Sequence, residues 1–329
     1  MEGWKQMDKK LLKSLYAIHS PSGKENEMRE FLISRIRAQY GINCIVDEIG
    51  NVYVTKGIAD TYPCVVAHID QVQRLHSDDF RAVETNGIIF GYSAKNHRFE
   101  GLGADDKNGV FVALECLKEF DVMKCAFFVG EEIGCIGSSE CDMIFFDDCR
   151  FVLQCDRRNG DDLITHISER LCSDEFLADA DFADFGYKET FGAMTDVETL
   201  KSNGLAVSCV NMSCGYYNPH TDEEFTDIAE LENCLNFVKH VIRKCVNVYP
   251  HEPQYKSYLD GYNSRWDFSD YDFEEDMKNA ISGEPDITAE TLMEYFEDVY
   301  PDKELSDYEK ALKDWHEYND DAEFPINHF

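Results

Sequence analysis

Two adjacent glutamates, Glu131 and Glu132, follow the apolar run "CAFFVG" and lead into a glycine-punctuated turn, "IGCIG". Strand side chains alternate in direction, so the pair is expected to face two ways. Similar placements recur along the chain. "CVVAHID" ends in His68 and Asp70, an H-x-D spacing that puts both side chains on one strand face, where the carboxylate can orient the imidazole. Asp105 and Asp106 open a helical stretch after the glycine-rich "GLGADDKNG", Asp156 closes "FVLQCD", and His220 lies in "CGYYNPHTDEEF" before a long helix. Ligands of α/β sheets bind at the carboxyl ends of the strands. Imidazole nitrogen with carboxylate oxygen is the donor set of Zn²⁺ and related divalent cations. His68, Asp105, Glu132, Asp156 and His220 could hold two such ions that share one carboxylate. One glutamate of the pair would then be a ligand and the other a free base.

The elements that must position these residues follow from periodicity and turn chemistry. Ser22 to Glu25 reads as a capping box for a helix that stops at Gly41. Two strands flank Ile49-Gly50, "YPCVVAHID" is a buried strand, and a hairpin turns at Asn86-Gly87. The pattern then alternates: helix 107–120, strand 123–129, a short helix near 137, strands 150–155 and 162–167, helices 173–185 and 195–203, strand 205–213 and helix 227–249. Such alternation predicts a three-layer α/β/α domain with a central, mostly parallel mixed sheet. That domain is expected over residues 1–250. Residues 251–329 carry 23 acidic against 6 basic side chains, yet Leu305, Tyr308, Leu312 and Trp315 stand at helical spacing. A small acidic helical appendage is expected there.

Composition removes several function classes. The 329 residues carry a formal charge of −34, which repels the phosphates of nucleic acids and of anionic membranes. The thirteen cysteines are scattered through apolar runs without a C-x-x-C pair, as expected for buried thiols in a reducing compartment. "MEGWKQMDKKLLKSLYAIH" lacks the apolar core of a signal peptide, and no stretch has the length of a membrane span. A cytoplasmic location is the expectation.

The order H-x-D, G-x-G-A-D-D-K-x-G, G-E-E-x-G, a later Asp and a final His resembles the co-catalytic dizinc exopeptidases. That superfamily includes peptidase T, the carboxypeptidase-G-like and succinyl-diaminopimelate-desuccinylase-like hydrolases, and the tetrahedral aminopeptidases. "IHSPSGKENEMREF" is similar to their N-terminal segment, so the likeness runs over residues 10–249. The resemblance implies that His68 and Asp156 hold one metal, Glu132 and His220 the other, and Asp105 both. It further implies that Asp70 orients His68, that Glu131 is the general acid/base, and that a metal-bridged hydroxide attacks the peptide. Zn²⁺ is the expected ion, with Co²⁺ or Mn²⁺ as substitutes.

Two departures stand out. Only 63 residues separate Asp156 from His220, too few for the lid or dimerisation domain that many members insert, and the acidic C-terminal segment is additional. Asp at 156 matches the aminopeptidases of the superfamily, whereas its carboxypeptidases and deacylases tend to carry Glu. "GAMTDVETL" also resembles their G-x-x-T-D-A segment. Asp196 is then a cleft residue or, with Thr195, a helix cap. His97 and His166 are the remaining histidines that could replace an oxyanion contact from the lid. The expected activity is that of an aminopeptidase on short peptides. The alternatives are a dizinc amidohydrolase or carboxypeptidase-type deacylase and, in another class, a non-catalytic peptide-binding module.

Overall fold

The structure, a computed structural model, describes residues 7–252. The expected appendage at 251–329 lies outside the described residues apart from His251 and Glu252. Helix α1 (Lys9–Tyr16) starts where Asp8 accepts a hydrogen bond from Leu11 N, and it buries Leu11, Leu12, Leu15 and Tyr16. Helix α2 (Asn26–Tyr40) ends at Gly41 in the left-handed region. The expected capping box before it does not form. Glu25 occupies the N-cap without a side-chain cap, its Oε1 accepts from Gly23 N, and Ser22 Oγ donates to Asp70 instead.

Strands β1 (Ile45–Val46) and β2 (Val52–Lys56) pair antiparallel, and β3 (Tyr62–His68) is buried along its whole length. The hairpin forms as expected, with β4 (Phe80–Thr85) and β5 (Ile88–Ser93) joined through Asn86 and Gly87, followed by β6 (Arg98–Phe99). Then come α3 (Ala104–Glu119), β7 (Met123–Phe128), α4 (Ile136–Ser139), β8 (Cys149–Arg157) and β9 (Asp162–His166). The helix expected over 173–185 is interrupted. Helix α5 (Asp174–Ala180) stops where Asp181 turns left-handed, its carboxylate held by His240 and Lys244, and a 3₁₀ turn follows.

The last elements are β10 (Lys188–Phe191), α6 (Asp196–Ser202), β11 (Cys209–Ser213), β12 (Tyr216–Tyr217), β13 (Phe225–Asp227) and α7 (Ile228–Lys244). Strands β10, β12 and β13 have two to four residues each and lack an apolar run, so no sequence pattern marks them.

The main sheet has the order β1-β2-β7-β3-β8-β11-β9-β10. Its centre, β7-β3-β8-β11, is parallel, while β1-β2, β2-β7 and β11-β9 pair antiparallel. Alternation sorts side chains onto two faces. Val65 and Ala67 join the apolar layer under α1, α2, α3 and α7, whereas Cys64 and Val66 join the layer under α6. This is the expected three-layer α/β/α arrangement. The second sheet, β12-β13-β5-β4 with β6 on β5, was not legible beyond its hairpin. The chain between Asp156 and His220 supplies β9, β10 and β11 to the main sheet, which leaves no inserted domain there. No described helix is long and apolar enough to cross a membrane. All thirteen cysteines are free, and eleven are buried.

Candidate metal centre

Because β3, β7 and β8 run parallel, the residues at their carboxyl ends share one edge of the sheet. His68 ends β3, fully buried. Its Nδ1 lies 3.3 Å from Asp70 Oδ1, an approach too bent for a hydrogen bond, and its Nε2 faces a group of carboxylates. Asp70 is a hub for three segments. Its Oδ1 accepts from Glu131 N at 3.0 Å, and its Oδ2 accepts from Glu132 N at 3.2 Å and from Ser22 Oγ at 2.7 Å.

The two glutamates stand on a 3₁₀ turn, Glu131–Ile133, beyond the end of β7. They diverge as expected, but the turn rather than strand alternation separates them. Glu131 Oε2 lies 3.9 Å from His68 Nε2, and Glu132 Oε2 lies 3.1 Å from His220 Nε2. Gly137 lets this turn fold back on the strand, since a Cβ there would sit 2.5 Å from both Asn51 Oδ1 and Val129 O.

At the start of α3, Asp105 and Asp106 have non-helical backbones. Asp105 Oδ1 lies 3.0 Å from His68 Nε2 and its Oδ2 3.4 Å from His220 Nε2, so one carboxylate faces both histidines. Asp105 N donates to the buried Glu224 at 3.2 Å. Asp106 turns the other way. Its Oδ2 accepts from His68 N at 3.1 Å and its Oδ1 from Gly109 N at 2.9 Å, so it braces β3 against α3. Any side chain at 109 would collide with it, a Cβ lying 2.2 Å from Asp106 Oδ1.

Asp156, near the end of β8, places Oδ1 3.8 Å from His68 Nε2, and Tyr216 Oη donates to the same oxygen at 3.3 Å. His220 lies on the loop between β12 and β13 with a left-handed backbone and 39% of its side chain exposed.

Electrostatics describe a cluster short of positive charge. Burial, then repulsion from Asp156, Asp196 and Glu132, lifts Glu131 to about 10 despite the pull of His68. Burial and the charge of Asp105 lift Asp156 to about 8, and burial with the same neighbour lifts Glu224 to about 8. Contacts with Asp105 and Glu132 raise His220 to about 11. Burial opposes charge on His68, yet Asp105, Asp156 and Asp70 hold it well above the ordinary imidazole range. Burial likewise opposes charge on Asp105, and the two histidines pull it far below the ordinary carboxylate range.

Donor atoms of His68, Asp105 and Glu132 lie within 4.8 Å of one another, as do those of His68, Asp106 and Asp156. Glu132 Oε1 is buried without a hydrogen-bond partner. A buried lone carboxylate oxygen beside crowded acids and two imidazoles is what a divalent cation satisfies, so the residues fit a metal. Both oxygens of Asp106 already accept backbone hydrogens, which leaves Asp156 as the better donor of the second group.

The structure thus gathers His68, Asp70, Asp105, Glu131, Glu132, Asp156 and His220 at one edge. Asp196 is buried beside them. Its Oδ1 accepts from Ser138 Oγ at 2.6 Å and its Oδ2 from Gln154 Nε2 at 3.2 Å. Thr195 stands at the N-cap of α6 but makes no side-chain cap. The other two histidines are elsewhere. His97 is on the exposed turn between β5 and β6, and His166 ends β9, whose antiparallel course puts it at the opposite edge of the sheet. Gln154 and Glu224 carry no sequence signal and Ser22 only that of a helix cap, because each contacts segments remote in the chain.

No family model matches this chain. Over 63 residues it is 35% identical to a Pyrococcus abyssi protein described as a LysW-lysine/LysW-ornithine hydrolase, a stretch that is 19% of this chain and 18% of that one. The chain therefore spans under a fifth of that relative. Solved structures match over far more. Aminopeptidase PepT of Bacillus cereus superposes with a TM-score of 0.58 at 13% identity, over 72% of this chain and 97% of that one. A tripeptidase of Staphylococcus aureus gives 0.57 at 15% identity, over 72% and 97%. The TET1 peptidase of Pyrococcus horikoshii gives 0.51 at 15% identity, over 71% and 98%. The described residues have the α/β/α fold of these peptidase structures. At such identities the likeness is one of fold.

Proposed function

We propose that the chain is a metal-dependent exopeptidase, an aminopeptidase that hydrolyses short peptides. The observation that carries this reading is Asp105, whose two oxygens face two histidines beside a buried, unpartnered oxygen of Glu132. His68 and Asp156 would hold one divalent cation, Glu132 and His220 a second, and Asp105 both, with Zn²⁺ the best match to the donors. When bound, such ions supply Lewis acidity to a substrate carbonyl and acidity to water.

The chain's own residues do the rest. Asp70 restrains the Nδ1 side of His68 so that Nε2 points to the cluster, and through the two glutamate amides it fixes where their side chains stand. Glu131 is the proton carrier. Its Oε2 faces the cluster, and its other oxygen accepts from Cys135 Sγ at 3.6 Å. The chain's formal charge of −34 attracts an ammonium group and disfavours a carboxylate, which favours a free peptide N-terminus. The likeness of fold to PepT and TET1 supports the same reading. Free thiols throughout fit a reducing, cytoplasmic setting.

The rival reading is a deacylase or carboxypeptidase-type amidohydrolase. A tripeptide compared with its N-acetylated and C-amidated forms separates the two. The aminopeptidase loses the acetylated form and keeps the amidated one, and the reverse pattern establishes the second reading. Turnover of none of them by metal-loaded protein would leave a peptide-binding module.

A further inference from the structure

We propose that Gln154 is a positioning residue that decides which oxygen of Asp156 faces the metal centre; this rests on the two-metal reading above. Gln154 precedes Asp156 by two on β8, so both side chains share a face, and it is fully buried. All four hydrogen-bonding positions of its amide are taken. Oε1 accepts from Val197 N at 3.0 Å and from Thr195 Oγ1 at 2.8 Å, while Nε2 donates to Asp156 Oδ2 and to Asp196 Oδ2, both at 3.2 Å.

Chemistry dictates this orientation. Val197 N can only donate, and turning the amide over would set its oxygen against two carboxylates. The contact with Val197 also serves the start of α6, where Thr195 gives no cap of its own. Asp196 is held from its far side by Ser138, so the donor of Gln154 cannot drift away from Asp156.

The consequence falls on Asp156. Its Oδ2 is tied back by Gln154, leaving Oδ1 turned toward His68; Thr195, whose one hydroxyl proton goes to Gln154 Oε1, acts on Asp156 through that amide. Asp156 is thereby presented as a one-oxygen ligand with its rotamer set from behind. Partners of this kind typically change metal affinity by about 10- to 100-fold when removed.

The test is a Co²⁺ titration of metal-free protein, followed by visible absorption and chelator competition, on wild type, Gln154→Met and Thr195→Val. Wild type should take up two equivalents. Gln154→Met should weaken one of the two steps by about 10- to 100-fold and alter the absorption bands of that step, leaving the other step unchanged. Thr195→Val, nearly isosteric, should shift the same step by less, and it carries the test if the Gln154 variant does not fold as judged by circular dichroism. A folded variant that binds both equivalents as wild type does, or weakens both alike, overturns the positioning role. A wild-type protein that takes up fewer than two equivalents overturns the two-metal reading, and the inference with it.

Discussion

The candidate metal centre has two halves of the same composition, one imidazole and one carboxylate each, with Asp105 between them. They are built differently. The strand half, His68 and Asp156, sits on β3 and β8 and is braced on every side. Asp106 takes His68 N, Asp70 flanks Nδ1, Gln154 holds Asp156 Oδ2, and Asn211 accepts from Asp156 N at 2.9 Å. The loop half, Glu132 and His220, rests on a 3₁₀ turn and an irregular loop. His220 is over a third exposed, and Glu132 Oε1 has no partner. Equal ligands on unequal supports imply unequal sites. An ion on the strand half meets a preorganised pair, whereas one on the loop half must order part of its own shell.

The largest effect expected leaves both halves intact. Glu131 stands on the loop turn but leans toward His68, and it belongs to neither ligand pair. Glu131→Gln should lower turnover by a factor of about 10² to 10⁴ while metal content stays at the wild-type level. Loss of metal with full activity per bound ion would exchange the roles of Glu131 and Glu132.

Next come the two histidines. His68→Ala removes a fully buried ring and strands Asp70 and Asp105, so urea unfolding of metal-free protein should show a loss of about 3–5 kcal/mol. His220→Ala, partly exposed, should cost less than about 1 kcal/mol in the same assay. Equal losses would erase the contrast between the halves.

A third prediction concerns pH. In metal-free protein Glu131, Asp156, Glu224 and His220 all have raised values, so these four groups hold more protons in the folded chain than in the unfolded one above pH 4.5. Their contribution is complete at low pH and is lost as pH rises through about 8 to about 11. Asp70 and Asp105, both lowered, act in reverse, and their contribution is lost only on acidification below the ordinary aspartate range. The melting temperature of chelated protein should therefore fall from about pH 6 to about pH 9, and divalent metal should remove most of that fall. A melting temperature that rises over this interval without metal contradicts the crowding of carboxylates.

The smallest effect belongs to Ser22. Ser22→Ala deletes one hydrogen bond to the Asp70 hub and should cost about 1 kcal/mol, with a modest drop in activity. A silent substitution would show that Asp70 is held well enough by the glutamate amides alone.

Which parts of this were legible in the sequence follows from range. His68 ends β3 and Asp70 follows two residues later, Glu131 and Glu132 adjoin a strand end, and Asp105 follows a glycine turn, so local pattern reveals them. The braces are not local. Ser22 reaches Asp70 across 48 positions, and Glu224 reaches Asp105 N across 119. From sequence alone Ser22 reads as a cap for the helix that follows it, the nearest use a serine there could have. Thr195 was open to the same cap reading, and its hydroxyl goes instead to Gln154 on a different strand. The α5 break at Asp181 has a similar origin, since the basic residues that hold its carboxylate come from α7.

The most direct test of the central claim is metal content. Protein dialysed against excess Zn²⁺ and then metal-free buffer should retain close to two equivalents per chain by elemental analysis. His220→Ala should lose the ion of the loop half and keep the other, and His68→Ala should lose at least the ion of the strand half. Two equivalents retained by both variants, or none bound by wild type, would contradict a centre built from His68, Asp105, Glu132, Asp156 and His220.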